Sequence, residues 1–207
     1  MTIAFCLESS LLRTIMSPRF GADPVRYYAH TAEDCDGNLL PQSHWQPLAE
    51  HLRNVAALAK QFAAPLGLAP EAELAGLLHD LGKYRTEFQE MLQGQRASST
   101  KTQHAVFGAT WAFERTQQEN KLAAAAFAIA GHHAGLHDLG DLQQLVGSPK
   151  FRPLETACEL FRLLENELGP LPATANPPPW VTDSFEMDLY TRMLFSCLVD
   201  ADRLDSA

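Results

Sequence analysis

Leu77-Leu78-His79-Asp80-Leu81-Gly82-Lys83 puts a histidine and an aspartate side by side where an apolar helical pattern ends. Upstream, Pro70 suits the first turn of a helix and Glu71 and Glu73 suit its positive end. Leu74, Leu77, Leu78 and Leu81 recur at helical spacing, and Gly82 is a helix stop. His79 and Asp80 therefore fall in the last turn, at the negative end of the helix dipole, which favours cations. Neighbouring helical residues point about 100° apart, so the two side chains reach one ion from adjacent directions. A carboxylate can also bridge two ions. An isolated His-Asp pair is ordinarily a capping aspartate beside a half-buried histidine. Its meaning here depends on the other histidines.

The chain has 207 residues, enough for one domain with a full core. Its composition, 46% hydrophobic and 20% charged, is that of an ordinary globular protein. The longest apolar run, residues 122–130, is far short of the ~20 needed to span a membrane. The first residues, Met1-Thr2-Ile3-Ala4-Phe5, lack the basic and apolar regions of a signal peptide. Cys6, Cys35, Cys158 and Cys197 form no C-x-x-C pair, which points to a reducing, cytoplasmic setting and no zinc-thiolate site. The net charge of -9 argues against gripping nucleic acid by surface field alone, although bound divalent metal can dominate a local field.

Along the chain, residues 1–26 are broken by Pro18, Gly21 and Pro24 and read as an N-terminal extension; residues 27–207 form the domain. A helix over residues 45–64 carries Leu48, Leu52, Val55, Ala59 and Phe62 on one stripe with His51 beside them. The His79-Asp80 helix follows, then a short helix over 86–93 and a polar loop over 94–103. Residues 103–118 predict a third long helix, opened by His104. Alanine-rich residues 121–130 predict another, ending at Gly131-His132-His133-Ala134-Gly135, where the glycines allow close approach. Residues 136–153 read as a loop-like insert and 154–168 as a helix. A proline-rich connection crosses the surface over 169–179. The last helix, over 184–204, aligns Leu189, Met193, Cys197, Asp200 and Leu204 on its inner face; Asp202 points roughly the opposite way, to solvent. A buried Asp200 is costly unless paired or bound to metal. There is no phosphate loop of the G-x-x-x-x-G-K-[ST] type.

Five helices thus present His51, His79 with Asp80, His104, His132 with His133, and Asp200. Imidazoles and carboxylates without thiolates suit manganese, iron, cobalt, nickel or zinc. Seven ligands exceed what one open catalytic ion accepts and suit two ions about 3.5–4 Å apart, with Asp80 as the bridge.

The ordered set resembles the HD superfamily of metal-dependent phosphohydrolases: His51, His79-Asp80-Leu81-Gly82-Lys83, His104, Gly131-His132-His133-Ala134-Gly135, and Leu198-Val199-Asp200-Ala201-Asp202. Tyr28-Ala29-His30-Thr31 near the start, Phe88, and Ser196-Cys197-Leu198-Val199-Asp200 with Asp205 narrow the resemblance. They point to the HD-nuclease domain of the CRISPR-associated type I interference helicase–nuclease. The family often has serine where this chain has Thr31. The resemblance implies an all-α helical bundle with a central metal site that cleaves single-stranded DNA. It implies one metal on His51, His79, Asp80 and Asp200 and a second on Asp80, His104, His132 and His133. The ions expected are two divalent transition metals (Mn, Co, Ni or Fe, with Mg or Zn as further options). Asp80 and Lys83 are the expected catalytic residues, Lys83 neutralising charge on the phosphate; Arg96, Lys101, Lys150 and Arg152 are candidates to line the strand's path. Without an ATPase motif, strand delivery requires a helicase, as a separate chain or a missing C-terminal domain, and an RNA-guided surveillance complex. The alternatives are a phosphohydrolase of nucleotides or cyclic dinucleotides, which uses the same metals in a closed pocket, and a non-enzymatic HD module.

Overall fold

In the computed structural model, residues 26–99, 103–119, 123–148, 153–172 and 177–207 are described. Nearly all of the expected extension at 1–26, and Lys101, Lys150 and Arg152, lie outside them. Two short antiparallel strands, β1 (Tyr28–His30) and β2 (Gln46–Pro47), precede eight helices among the described residues. These are α1 (Leu48–Ala63), α2 (Ala69–Leu78), α3 (Thr86–Leu92), α4 (Ala105–Glu119), α5 (Ala123–Gly131), α6 (Leu139–Val146), α7 (Pro153–Leu168) and α8 (Ser184–Asp205). The fold is all-α. No helix among the described residues is long and apolar enough to cross a membrane.

Two helices are apolar on nearly every side and so lie inside the bundle. In α2, Ala72, Leu74, Ala75, Leu77 and Leu78 are buried; in α5, Ala124, Ala125, Ala126, Ala128, Ile129 and Ala130 are. The alanines keep α5 slim, so α2, α4 and α8 all pack on it. Around this pair α1 contributes Leu48, Leu52, Val55 and Ala59, and packs on both α2 and α8. The consequence for function is positional. The two innermost helices end in His79-Asp80 and in His132-His133.

Local chemistry sets those ends. After Leu78 the chain leaves the α-helix, and Leu81–Tyr84 forms one 3-10 turn. The helix thus stops before His79 rather than at Gly82. The glycine serves another purpose: a Cβ there would overlap the backbone of His104. At Gly108 a Cβ would overlap the Leu78 carbonyl, with the Leu78 carbonyl carbon at 2.9 Å. These two glycines let the start of α4 lie directly on the end of α2. The 3-10 turn is anchored by the buried Gln89 amide, which donates to the carbonyls of Tyr28 (3.0 Å) and Lys83 (2.7 Å). The Tyr84 hydroxyl donates to Glu167 of α7 at 2.6 Å.

Two expectations require correction. Residues 139–146, read as loop, form helix α6, capped by the Asp138 carboxylate accepting from the Asp141 N–H at 2.8 Å. Leu142 and Val146 bury its inner side; Gly140 and Gly147 hide this pattern in the sequence. On α8 the inner face is Tyr190, Leu194, Cys197, Leu198 and Ala201, whereas Leu189 and Leu204 are exposed. The helix is turned by about one residue from the expected phase: it carries two apolar stripes, and the core takes the one that includes Tyr190, Leu194 and Leu198.

Glu71 in the first turn of α2 is buried, and its carboxylate accepts from the backbone N–H of Ala125 in α5. Burial pushes its pKa up to about 7 despite that bond. An acid whose folded pKa is raised costs nothing below its unfolded value and its full penalty above its folded one. Glu71→Gln should therefore gain stability relative to the parent as pH rises from about 4.5 to about 7, by a few kcal/mol at most. Parallel melting-temperature curves for the two proteins would contradict this. Gly108→Ala should cost about 1–3 kcal/mol or more in urea unfolding, since backbone rather than a flexible side chain must yield.

Candidate metal centre

Two sets of ligand atoms converge on the end of α2: His51, His79, Asp80 and Asp202 form the first, and Asp80, His104, His132 and His133 the second. Asp80 belongs to both. Its Oδ2 lies 3.1 Å from His51 Nε2 and 3.2 Å from His79 Nε2. Its Oδ1 lies 3.3 Å from His104 Nε2 and 3.6 Å from His132 Nε2. Asp202 Oδ1 is 3.5 Å from His51 Nε2 and 3.6 Å from His79 Nε2. His104 and His133 face each other, Nε2 to Nε2, at 2.8 Å.

The ring orientations come from the helix ends. Carbonyls in the last turn of a helix have no partner within it. His79 Nδ1 donates to the Gly76 carbonyl at 2.8 Å, and His132 Nδ1 to the Ile129 carbonyl at 2.7 Å, three residues back in each case. His51 Nδ1 donates to the Asp205 carboxylate at 2.7 Å. Each ring is thereby held with a bare Nε2 aimed at Asp80. Metal-ligating histidines are oriented by such outer partners.

The residues fit a metal on their own chemistry. His51 and His79 turn their Nε2 atoms toward each other at 3.2 Å, close enough to share one cation. Imidazole nitrogens sharing one ion at about 2.0–2.1 Å lie roughly 3.0–3.4 Å apart. Asp80 Oδ1 and His132 Nε2 are buried polar atoms with no hydrogen-bond partner among the described residues. Such atoms mark an ion's place. The sets contain two carboxylates, Asp80 and Asp202, with the Asp205 carboxylate behind His51.

Lys83 is 3% exposed, and its Nζ lies 2.7 Å from Asp80 Oδ2. Burial resists ionisation of Asp80, but His79, Lys83 and His104 outweigh it and hold the carboxyl well below the usual range. Burial likewise opposes a charge on His79, yet Asp80 and Asp202 lift its pKa to about 10. Those carboxylates hold a proton on His79. Burial pushes His104 down to about 3 and His133 to about 4.

The structure brings six of the seven expected ligands together: His51, His79, Asp80, His104, His132 and His133. Asp200 is corrected. It is exposed, on a shallow groove with Phe62, Arg203 and Leu204, and Asp202 takes its place in the first set. Residues two apart on a helix face about 200° apart, so the rotated phase of α8 exchanges the two aspartates. Arg96 pairs with Glu90 at 2.7 Å. The sequence marked His30 and Asp205 only as parts of the resemblance and gave neither a chemical role. His30 on β1 packs edge-on against His51, with Nε2 3.4 Å from Lys83 Nζ and 3.2 Å from Ser206 Oγ. Burial and Lys83 lower its pKa to about 4, so it is neutral. The signal that could have found Asp205 is its i+3 spacing from Asp202, which sets both on one helix face.

Compared with known protein families, residues 48–171, more than half of the chain, match the HD domain. That span holds six of the ligands; His30, Asp202 and Asp205 lie beyond it.

Asp202→Ala should weaken Mn²⁺ binding to the first set by more than roughly the 10–100-fold typical of lost outer partners, while Asp200→Ala leaves it within a few-fold. Calorimetric titration of both variants checks this, and the opposite ranking would restore Asp200. Metal requires neutral His79, so at any pH below about 10 binding should expel a proton from it. Affinity then rises with pH through that window. Binding heats at pH 8 that do not vary with buffer ionisation enthalpy would rule out the release.

Proposed function

The chain belongs to the HD domain family and is a metal-dependent phosphohydrolase; we propose that it cuts phosphodiester bonds of single-stranded DNA in type I CRISPR interference. The observation that carries the reading is the pair of ligand sets sharing Asp80, with one side open. His133, Ala134 and Gly135 are exposed, and His104 and His30 are only partly covered. An open rim suits a polymer passing across the site; an enclosed pocket would suit a free nucleotide. The CRISPR assignment rests on the ordered motifs. They extend beyond the matched HD span to Tyr28-Ala29-His30-Thr31 and to Ser196 through Asp205.

His51, His79, Asp80 and Asp202 would hold one divalent ion, and Asp80, His104, His132 and His133 the other. Ions so placed supply an activated water and neutralise charge on the scissile phosphate and leaving oxygen. The protein's own groups do the rest. The Gly76 and Ile129 carbonyls keep two rings in one tautomer, and Lys83 pins Asp80 Oδ2 and balances its charge. His104 and His133, on the open side, mark where substrate arrives. A donor set of imidazole and carboxylate favours Mn, Fe, Co or Ni, with Mg or Zn as further options.

The acidic character of the chain supports delivery of the strand by partners. With a net charge of -9, the domain gains little DNA affinity from its surface field, so a helicase and an RNA-guided surveillance complex in the cytoplasm would present the strand.

The test is a matrix of Mn²⁺, Co²⁺, Ni²⁺, Mg²⁺ and Zn²⁺ against linear and circular single strands, duplex DNA, RNA, nucleotides and cyclic dinucleotides. Circular single-stranded DNA should be opened with Mn²⁺, Co²⁺ or Ni²⁺, and Asp80→Ala, which removes a ligand from both sets, should abolish the activity. Intact circles alongside hydrolysed nucleotides or cyclic dinucleotides would transfer the assignment to a small-substrate phosphohydrolase.

A further inference from the structure

We propose that Asp205, in the last turn of α8, is a positioning residue that aims His51 at the first metal set; this rests on the reading that His51, His79, Asp80 and Asp202 hold an ion. Asp205 Oδ2 accepts from His51 Nδ1 at 2.7 Å, on the ring nitrogen opposite the one that faces Asp80. The same oxygen accepts from the Gln46 amide at 2.7 Å, and Oδ1 accepts from the Asn54 amide at 2.8 Å. Three donors from β2 and α1 therefore hold one carboxylate in a single rotamer.

The geometry has a chemical consequence. A carboxylate only accepts, so it compels His51 to carry its proton on Nδ1 and to offer a bare Nε2. His79 and His132 obtain the same tautomer from neutral carbonyls, Gly76 and Ile129. His51 is in the first turn of α1, where carbonyls are already engaged by N–H groups further along the helix, so it has no equivalent within α1 and takes its acceptor from α8. The negative partner also makes His51 a more basic ligand than a carbonyl would. Asp202 and Asp205 thus divide the work of one helix turn, one toward the ion and one behind its ligand.

A purely mechanical latch between α8 and α1 would use the same bonds, and the two roles separate experimentally. The background is the full chain carrying His133→Ala, whose exposed ring belongs only to the second set, so Mn²⁺ titration by calorimetry reads the first set. In this background Asp205→Ala should weaken Mn²⁺ binding about 10–100-fold. Asp205→Asn should weaken it less, because its amide oxygen still accepts from His51 while the charge is lost. Asn54→Ala, at an exposed position, removes one clamp and should weaken binding a few-fold; it keeps the proposal testable if Asp205→Ala does not fold. Urea unfolding of each metal-free variant runs in parallel. Unchanged Mn²⁺ affinity with reduced metal-free stability would make Asp205 a latch and overturn the proposal alone. No Mn²⁺ binding by the His133→Ala parent would overturn the metal-centre reading and this proposal with it.

Discussion

A single buried carboxylate organises this protein. Asp80 is 1% exposed, yet it is ionised, and both of its oxygens face histidines. Burying a charge is tolerable only where compensating charge surrounds it on all sides. Lys83 supplies part of that compensation from the same turn. The rest comes from elements far apart in the chain: α1 with His51, the start of α4 with His104, the end of α5 with His132 and His133. Each of these elements must arrive at one point, and the packing of the bundle can be understood as the means of bringing them there.

That convergence uses the ends of helices more than their sides. His79 and His132 each terminate an inner helix and take the carbonyl three residues back as an acceptor, so one local device orients both rings. His104 stands just before α4, and Gly82 and Gly108 remove the Cβ atoms that would hold that helix away from α2. His51 is the exception, placed in the first turn of α1 and bonded to Asp205 of α8. Ions in the two sets would cross-link α1, α2, α4, α5 and α8, so metal binding and folding stability are thermodynamically linked.

The electrostatics follow from the same arrangement. Burial opposes a charge on all three of His79, His104 and His133; at His79 the nearby Asp80 and Asp202 outweigh it and lift the pKa to about 10, whereas at His104 and His133 burial wins. The first set has two carboxylates and draws positive charge; the second has one, and burial keeps His104 and His133 neutral. The two sets therefore differ in net charge and in exposure, the first more acidic and covered, the second more neutral and open at His133.

The helices with a single apolar stripe were legible from spacing alone, as in α1, where Leu48, Leu52, Val55 and Ala59 admit one phase and carry His51 inward. The adjacency of His79 to Asp80 and of His132 to His133, each following an apolar segment, also marked the metal chemistry without coordinates. Helix α6 escaped because its glycines interrupt a pattern only eight residues long. Asp202 and Asp205 escaped for a different reason. Helix α8 has apolar residues on two faces, and spacing cannot choose between Leu189-Met193-Leu204 and Tyr190-Leu194-Leu198; packing against α1, α5 and α2 makes that choice. Sequence by itself determined which residue types could bind metal and which helices would carry them, because periodicity and ligand chemistry are local. Tertiary structure alone decided which aspartate joins the histidine cluster around Asp80 and which stands behind His51, because a helix's rotation about its axis is set by its neighbours.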